Sequence, residues 1–587
     1  MSSTSPRRSP RVVAPAVLTA TAALAAWVGG TTIAGAAEAP PVTTLLAGPA
    51  AAAALAANQA HHDEAADHTW TESSVAAVTL TGSGATTTSP NVTVSGSTVT
   101  VNAAGTYRFS GTLTNGQIVV NSTGTGMVRL ILNGVTITNN TSSAINIVAA
   151  DEAMVVLQDG TTNRLTDATT YVYPPGVTEP NAALFSAADL TIFGNGTLVV
   201  TGNAYDGITS EDGLVIAAGN ITATAKDDAI RGKDYVVVNG GTVNATAGGD
   251  GLKADNEEDA TRGYVSIANG TVTATATGDA VYGFTDVIVS GGTTTAKSGG
   301  GSTVTPGETS AKGFKAGTLV VISEGRNTID ASDDGIHSDA SLTIDGGTTT
   351  VATGDDGVHA EVNVNVNGGT TTVTRSYEGV EGLKVFVTGG SIAATSTDDA
   401  VNASDPAVGE GTSANALISV SGGVLTASGG TDGLDSNGAI SITGGTTVSS
   451  GSATRGGGEG GIDASGALTI TGGTVLSTGI SASTARLPSS GQGWVSVTLS
   501  ANTAANTVVH VATTGGQQIA SFQPAKTFRG VFFSSNQISR GTTYAIYTGG
   551  STSGTALGGN LYTGGTLSGT QVATTTAGTA TTGGTRP

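Results

Sequence analysis

The 587-residue chain has no cysteine, so nothing in its fold rests on disulfides, and thiolate metal centres are excluded with them. Aromatic residues make up 4% of it and charged residues 11%. So few large side chains cannot fill a thick, irregular core. Basic residues are scarce: 23 Lys and Arg stand against 44 Asp and Glu, a formal charge of −21. That balance excludes nucleic acid as a partner, because a phosphate backbone requires a basic surface. No amphipathic helical period appears after Val75, which excludes helical bundles and helical repeats. What the chain has in quantity is glycine, 88 residues, set among short runs of β-branched residues. Examples are YVVVNGGTVNATA from Tyr235, LTIDGGTTTVAT from Leu342 and ALTITGGTVLSTG from Ala467.

The first residues read as an export signal, residues 1–36. Arg7, Arg8 and Arg11 precede a mostly apolar run over Val12–Val28, and AGAAEA at Ala34–Ala39 offers a small-residue cleavage site. The expected location is therefore secreted, extracellular or at the cell surface, with no membrane span in the mature chain. Residues 37–74 read as an alanine-rich linker, including HHDEAADH at His61–His68. Residues 75–480 carry the repeats, 481–550 a β-rich C-terminal cap, and 551–587 a Gly/Thr-rich tail expected to be disordered.

The repeat shows in its acidic turns. DDGIHSD at Asp333–Asp339 returns as DDGVHAE at Asp355–Glu361, and the acid before the small residue recurs at Asp206, Asp228, Asp250, Asp279, Asp334, Asp356, Glu378, Asp399 and Asp432. The commonest step is 22 residues, stretched elsewhere by turn-like insertions; one degenerate copy, AKGFK, puts Lys312 in the acid's place. Three short strands and three turns in about 22 residues, without helix, predict an all-β parallel β-helix, a β-solenoid whose coils stack at about 4.8 Å.

Stacking turns each repeat position into a column. Two residues after the acid the column is aliphatic or aromatic from Ile208 to Leu434 and must face inward; two further on it is uniformly small. Between them lies a column expected to face solvent, with Arg231, Lys253, Tyr282, Lys315, His337 and His359 as candidate ligand-binding residues. A generic solvated face is the plainer reading of that column.

Carboxylates stacked about 4.8 Å apart repel one another, and a calcium ion with oxygen ligands at about 2.3–2.6 Å can bridge adjacent coils. The candidate calcium ligands are Asp227, Asp228, Asp250, Asp255, Asp333, Asp334, Asp339, Asp355, Asp356, Glu361, Asp398 and Asp399. Zinc is disfavoured because cysteine is absent and the histidines are few. The plainer reading is that each aspartate caps its own turn.

The ordered series GTYRFSGTLTNGQIVV from Gly105, LILNGVTITN from Leu130, DGTTNRLTD from Asp159, NAALFSAADLTIFGNGTLVV from Asn181, KDDAIRGKD from Lys226 and GDGLKADN from Gly249 resembles a family of secreted bacterial carbohydrate-binding domains. The likeness runs on to FQPAKTFRGVFFSS at Phe522 and GTTYAIYTGG at Gly541. That family is of the calcium-binding, pectate-lyase-like parallel β-helix type. The resemblance implies a right-handed β-helix that holds Ca2+ and binds cellulose-like or acidic, pectin-type polysaccharides without cleaving them. The AKGFK coil departs from the pattern, which leaves its ion in doubt. A calcium-dependent polysaccharide lyase is an alternative, with Lys253 as its base; a cell-surface adhesin is another. A monomer is expected.

Overall fold

The computed structural model describes residues 51–409, 411–456 and 458–578, so the export signal lies outside the described residues. The chain is all-β, with one large, mostly parallel sheet and a smaller six-stranded one. Over most of the repeats, pairing joins each strand to the third strand after it. One such set of three is Ile230–Gly232, Tyr235–Val238 and Thr242–Ala247; the next is Leu252–Ala254, Tyr264–Ile267 and Thr271–Ala276. All three pairings are parallel and in register, so like stacks on like: Ile230 on Leu252, Tyr235 on Tyr264, Val243 on Val272, Ala245 on Ala274. A one-residue slip would turn every apolar side chain outward, and this register is thereby fixed.

The inward column is buried throughout, from Ile208, Ile230 and Leu252 to Val401 and Leu434. The second glycine of the recurrent GG turn has a structural cause. Gly369 has φ 69°, and a Cβ there would lie 2.4 Å from the carbonyl oxygen of Gly346 in the preceding turn. Only glycine meets both conditions.

Two expectations about the ends are corrected. Residues 551–578 are not a disordered tail: Leu561–Thr566 pairs antiparallel with Gln518–Phe522 and with Ser551–Gly558, and Thr570–Thr576 pairs antiparallel with Thr543–Thr548. A Gly/Thr-rich composition suggested disorder, but alternating threonines suit a sheet with one exposed face.

Residues 51–74 are not a free linker either. Helix Ala51–Ala57 lays Ala51 and Ala54 on Ile288 and Val321, and Trp70 and Val75 cover Ile131, Met154 and Val156. His62 Nδ1 lies 2.9 Å from the Tyr235 hydroxyl, and His68 stacks on Phe193 with ring centroids 4.0 Å apart. The signal was present in strands such as Tyr235–Val238 and Asp286–Val289, buried at all four positions. A strand apolar on both faces needs cover on both.

Candidate functional site

The acid column forms a hydrogen-bond ladder between successive sets of three strands. Asp206 Oδ1 accepts the backbone N–H of Asp228 at 3.2 Å, Asp228 Oδ1 that of Asp250 at 2.7 Å, and Asp250 Oδ1 that of Asp279 at 2.8 Å. Asp279 does the same for Lys312 at 2.7 Å, Asp334 for Asp356 at 3.1 Å, Asp356 for Glu378 at 3.1 Å and Asp399 for Asp432 at 2.9 Å. A short carboxylate reaches one strand spacing upward, and the amide it meets would otherwise be a buried orphan donor. The acid thus caps the next turn rather than its own. At the degenerate copy the ladder changes hands: Asp333 Oδ1 takes the N–H of Asp334 at 3.0 Å.

The second oxygen of each acid faces the column read as solvent-exposed, and here that expectation is corrected. Arg231 bonds Glu211 at 2.8 Å and Asp255 at 2.9 Å, while Lys253 Nζ sits between Asp228 at 3.0 Å and Asp250 at 3.1 Å. Lys315 lies 3.5 Å from Asp279, with Nζ 5.0 Å from the Tyr282 ring centroid. His337 Nδ1 meets Asp334 at 2.8 Å and its Nε2 meets Asp339 at 2.9 Å. All lie outside the core, but they lean back over the acid turns and are mostly buried, because buried carboxylates attract cations more strongly than water solvates them.

Lys312, absent from the candidate ligands, is the clearest instance. Its Nζ lies 3.0 Å from Asp333 and 2.6 Å from Asp334, where an inter-coil cation was expected. Burial opposes the charge on Asp334, yet Lys312 and the two histidines hold its pKa well below the usual carboxylate range. Lys253 is likewise opposed by burial but held above its ordinary pKa by Asp228 and Asp250.

Elsewhere acids outnumber cations. Burial, then Glu381, raises Asp356 well above its ordinary value; burial, then Asp356 and Asp399, does the same to Glu378. Burial pushes Glu381 and Asp206 up to about 7, Asp399 to about 6 and Asp432 to about 9. Glu381, Asp206, Glu378 and Asp432 were not among the candidate ligands. Glu381 has the least sequence signal, since it occupies the column read as ligand-binding.

The expected calcium ligands fall into four groups, of which one, Asp356 and Glu361, lies beside His359. Asp250, Asp255 and Asp339 already face Lys253, Arg231 and His337. Asp398 and Asp399 both accept the Thr431 hydroxyl, at 2.6 Å for Asp398. Oxygens converge within 4.8 Å at Asp206, Asp227 and Asp228, and at Asp333, Asp334 and Asp355. Both sets are all-oxygen, as a hard cation requires; in the first Asp227 opens to solvent, while Lys253 already faces Asp228 at 3.0 Å. Lys312 competes at the second. Glu361 Oε1 stands 3.9 Å from His359 Nε2, beside a shallow cleft lined by His359, Glu361, Glu381, Ser404 and Pro406.

Residues 95–357 match the model of a family described as carbohydrate-binding domain-containing protein. A curated relative of that description from Acetivibrio thermocellus is 42% identical over 135 residues, 23% of this chain. The chain spans about half the length of that relative, 47% of it. Among solved structures, the gadolinium derivative of a polysaccharide lyase-like protein from C. thermocellum is 36% identical, with a TM-score of 0.38, over 38% of this chain and 92% of that one. The matched segment holds the ladder from Asp206 to Asp356 and ends two residues before His359.

Proposed function

We propose that the protein is a secreted, non-catalytic polysaccharide-binding protein, working as a monomer, whose coils wind as a right-handed β-solenoid of about 22 residues each. The observation that carries this reading is the carbohydrate-binding family match over residues 95–357, which falls on the coils bearing the cation–carboxylate column. The expected ligands are cellulose-like or uronate-rich glycans lying along that column. Tyr282 faces them between Lys253 and Lys315, and Tyr205 and Tyr377 stand beside the acids, 39% and 43% exposed, as faces on which a sugar ring can stack. Calcium belongs at Asp206, Asp227 and Asp228, where it would relieve carboxylate repulsion and leave a coordination position for a uronate. Secretion rests on the order of basic, apolar and small residues before Ala39.

Isothermal titration of the purified chain with cello-oligosaccharides and polygalacturonate, with and without chelator, tests the reading. Binding to at least one is expected, with the uronate arm weakened by the chelator and both arms weakened in Tyr282→Ala. Absence of binding to either glycan refutes it.

A further inference from the structure

The repeat DDGIHSD/DDGVHAE places two histidines, not only acids, in register: His337 pairs with His359 across adjacent strands. Their rings lie 4.9 Å apart, edge to face. Both turn Nδ1 toward the same carboxylate oxygen, Asp334 Oδ2, at 2.8 Å for His337 and 3.6 Å for His359. One ligand atom from each of Asp334, His337 and His359 falls within 4.8 Å of the others. Ligands bound at about 2.0–2.1 Å in a tetrahedron stand about 3.3 Å apart, and the two Nδ1–Oδ2 distances bracket that value.

We propose that Asp334, His337 and His359 bind one divalent transition metal of the zinc class. Calcium is the wrong cation for this set, because it takes oxygen ligands and two of the three atoms are imidazole nitrogens. Two further observations point to a ligand. His337 has carboxylate oxygens at hydrogen-bond distance from both ring nitrogens, Asp334 at Nδ1 and Asp339 at Nε2, so its ring is fixed with Nδ1 toward Asp334. A metal on Nδ1 leaves Nε2–H for Asp339, the carboxylate–histidine–metal arrangement that orients zinc ligands. The acid two residues after the second histidine, Glu361, stands in the equivalent place, 3.9 Å from His359 Nε2.

The second observation is Asp356. It is 8% exposed, its Oδ1 serves the ladder, its Oδ2 lies 3.7 Å from His359 Nδ1, and its carboxyl hydrogen-bonds Glu381. An incoming metal would recruit that oxygen as its fourth ligand, in exchange for Glu381. Asp333, Asp334, Asp355, Asp356 and Glu381 surround the site, and the ammonium facing Asp334 is that of Lys312. The motif thus reads as D-x-x-H-x-acid, twice: ligand, ligand and outer-shell carboxylate from each coil.

The test uses the full chain stripped with a chelator and titrated with Zn2+ and Co2+. About one equivalent is expected to bind, with Co2+ giving the intense visible absorption of a tetrahedral N/O site and excess Ca2+ failing to displace it. His359→Gln is expected to weaken Zn2+ at least 100-fold, and Asp339→Asn about 10–100-fold. Lys312→Gln should tighten it several-fold by removing a competitor for Asp334. The native protein provides the readout should a variant not fold. Failure of native protein to bind Zn2+ or Co2+ overturns the proposal, as does an octahedral cobalt spectrum or binding unchanged in His359→Gln. Glycan titration of the same metal-free sample reports separately on the binding function.

Discussion

Replacing Asp206 by asparagine and by alanine separates the two roles of an acid in the column. Asp206 is 4% exposed; its Oδ1 accepts the Asp228 N–H at 3.2 Å and its Oδ2 the Thr209 hydroxyl at 2.8 Å. Asparagine retains an oxygen for the amide, and its NH2 can donate to the hydroxyl, whereas alanine abandons both. An orphaned buried partner costs about 1–3 kcal/mol, so Asp206→Ala should lose ~2–4 kcal/mol near pH 4, where the carboxyl it replaces is neutral.

The charge acts separately. A carboxyl pushed up to about 7 by burial and by Asp228 carries ~4 kcal/mol of unfavourable free energy when ionised at pH 8. An acid whose pKa is raised on folding holds its proton more tightly folded than unfolded. Its contribution to stability therefore falls as pH rises from about 4 to about 7, and stays low above that. Without metal, Asp206→Asn should match the parent near pH 4 and exceed it at pH 8, by up to ~4 kcal/mol before relaxation. Saturating calcium should stabilise the parent at pH 8 and leave Asp206→Asn unmoved. Chemical denaturation at both pH values, with chelator and with calcium, reads all of this. If Asp206→Asn is less stable than the parent at pH 8 without metal, the account of the charge is wrong.

Lys253→Gln leaves Asp228 and Asp250 without their shared cation, and should cost about 2–3 kcal/mol at pH 8, less at pH 5, with calcium restoring part of it; thermal unfolding at the two pH values checks this. Gly369→Ala forces a Cβ onto the Gly346 carbonyl at positive φ and should lower the unfolding midpoint more than Thr370→Ala, an exposed neighbour. Truncation after Gly550 removes three strands of the six-stranded sheet and uncovers Phe522 and Ile546, so the shortened chain should aggregate or bind a hydrophobic dye where the parent does not.

How much was legible in the chain depends on the distance over which a residue acts. The acid, aliphatic and small columns were readable because a fixed step puts identical positions above one another, and the buried series from Ile208 to Leu434 follows. The ladder was half legible: aspartate as a turn cap was foreseen, but the amide it caps belongs to the next coil. Lys312 stood out as a break in the pattern, and its place between Asp333 and Asp334 shows that the break supplies a cation. Glu381 and the cover provided by residues 51–74 left little trace, since each depends on neighbours far away in the sequence.

The sequence by itself determined what stacks on what: backbone hydrogen bonding and a two-residue side-chain alternation turn a repeat length into columns, whatever surrounds them. Only the tertiary structure decided which charges meet. Long side chains such as Lys253 and His337 pivot about several bonds, and their resting places are set by buried carboxylates on adjacent turns that no linear spacing specifies.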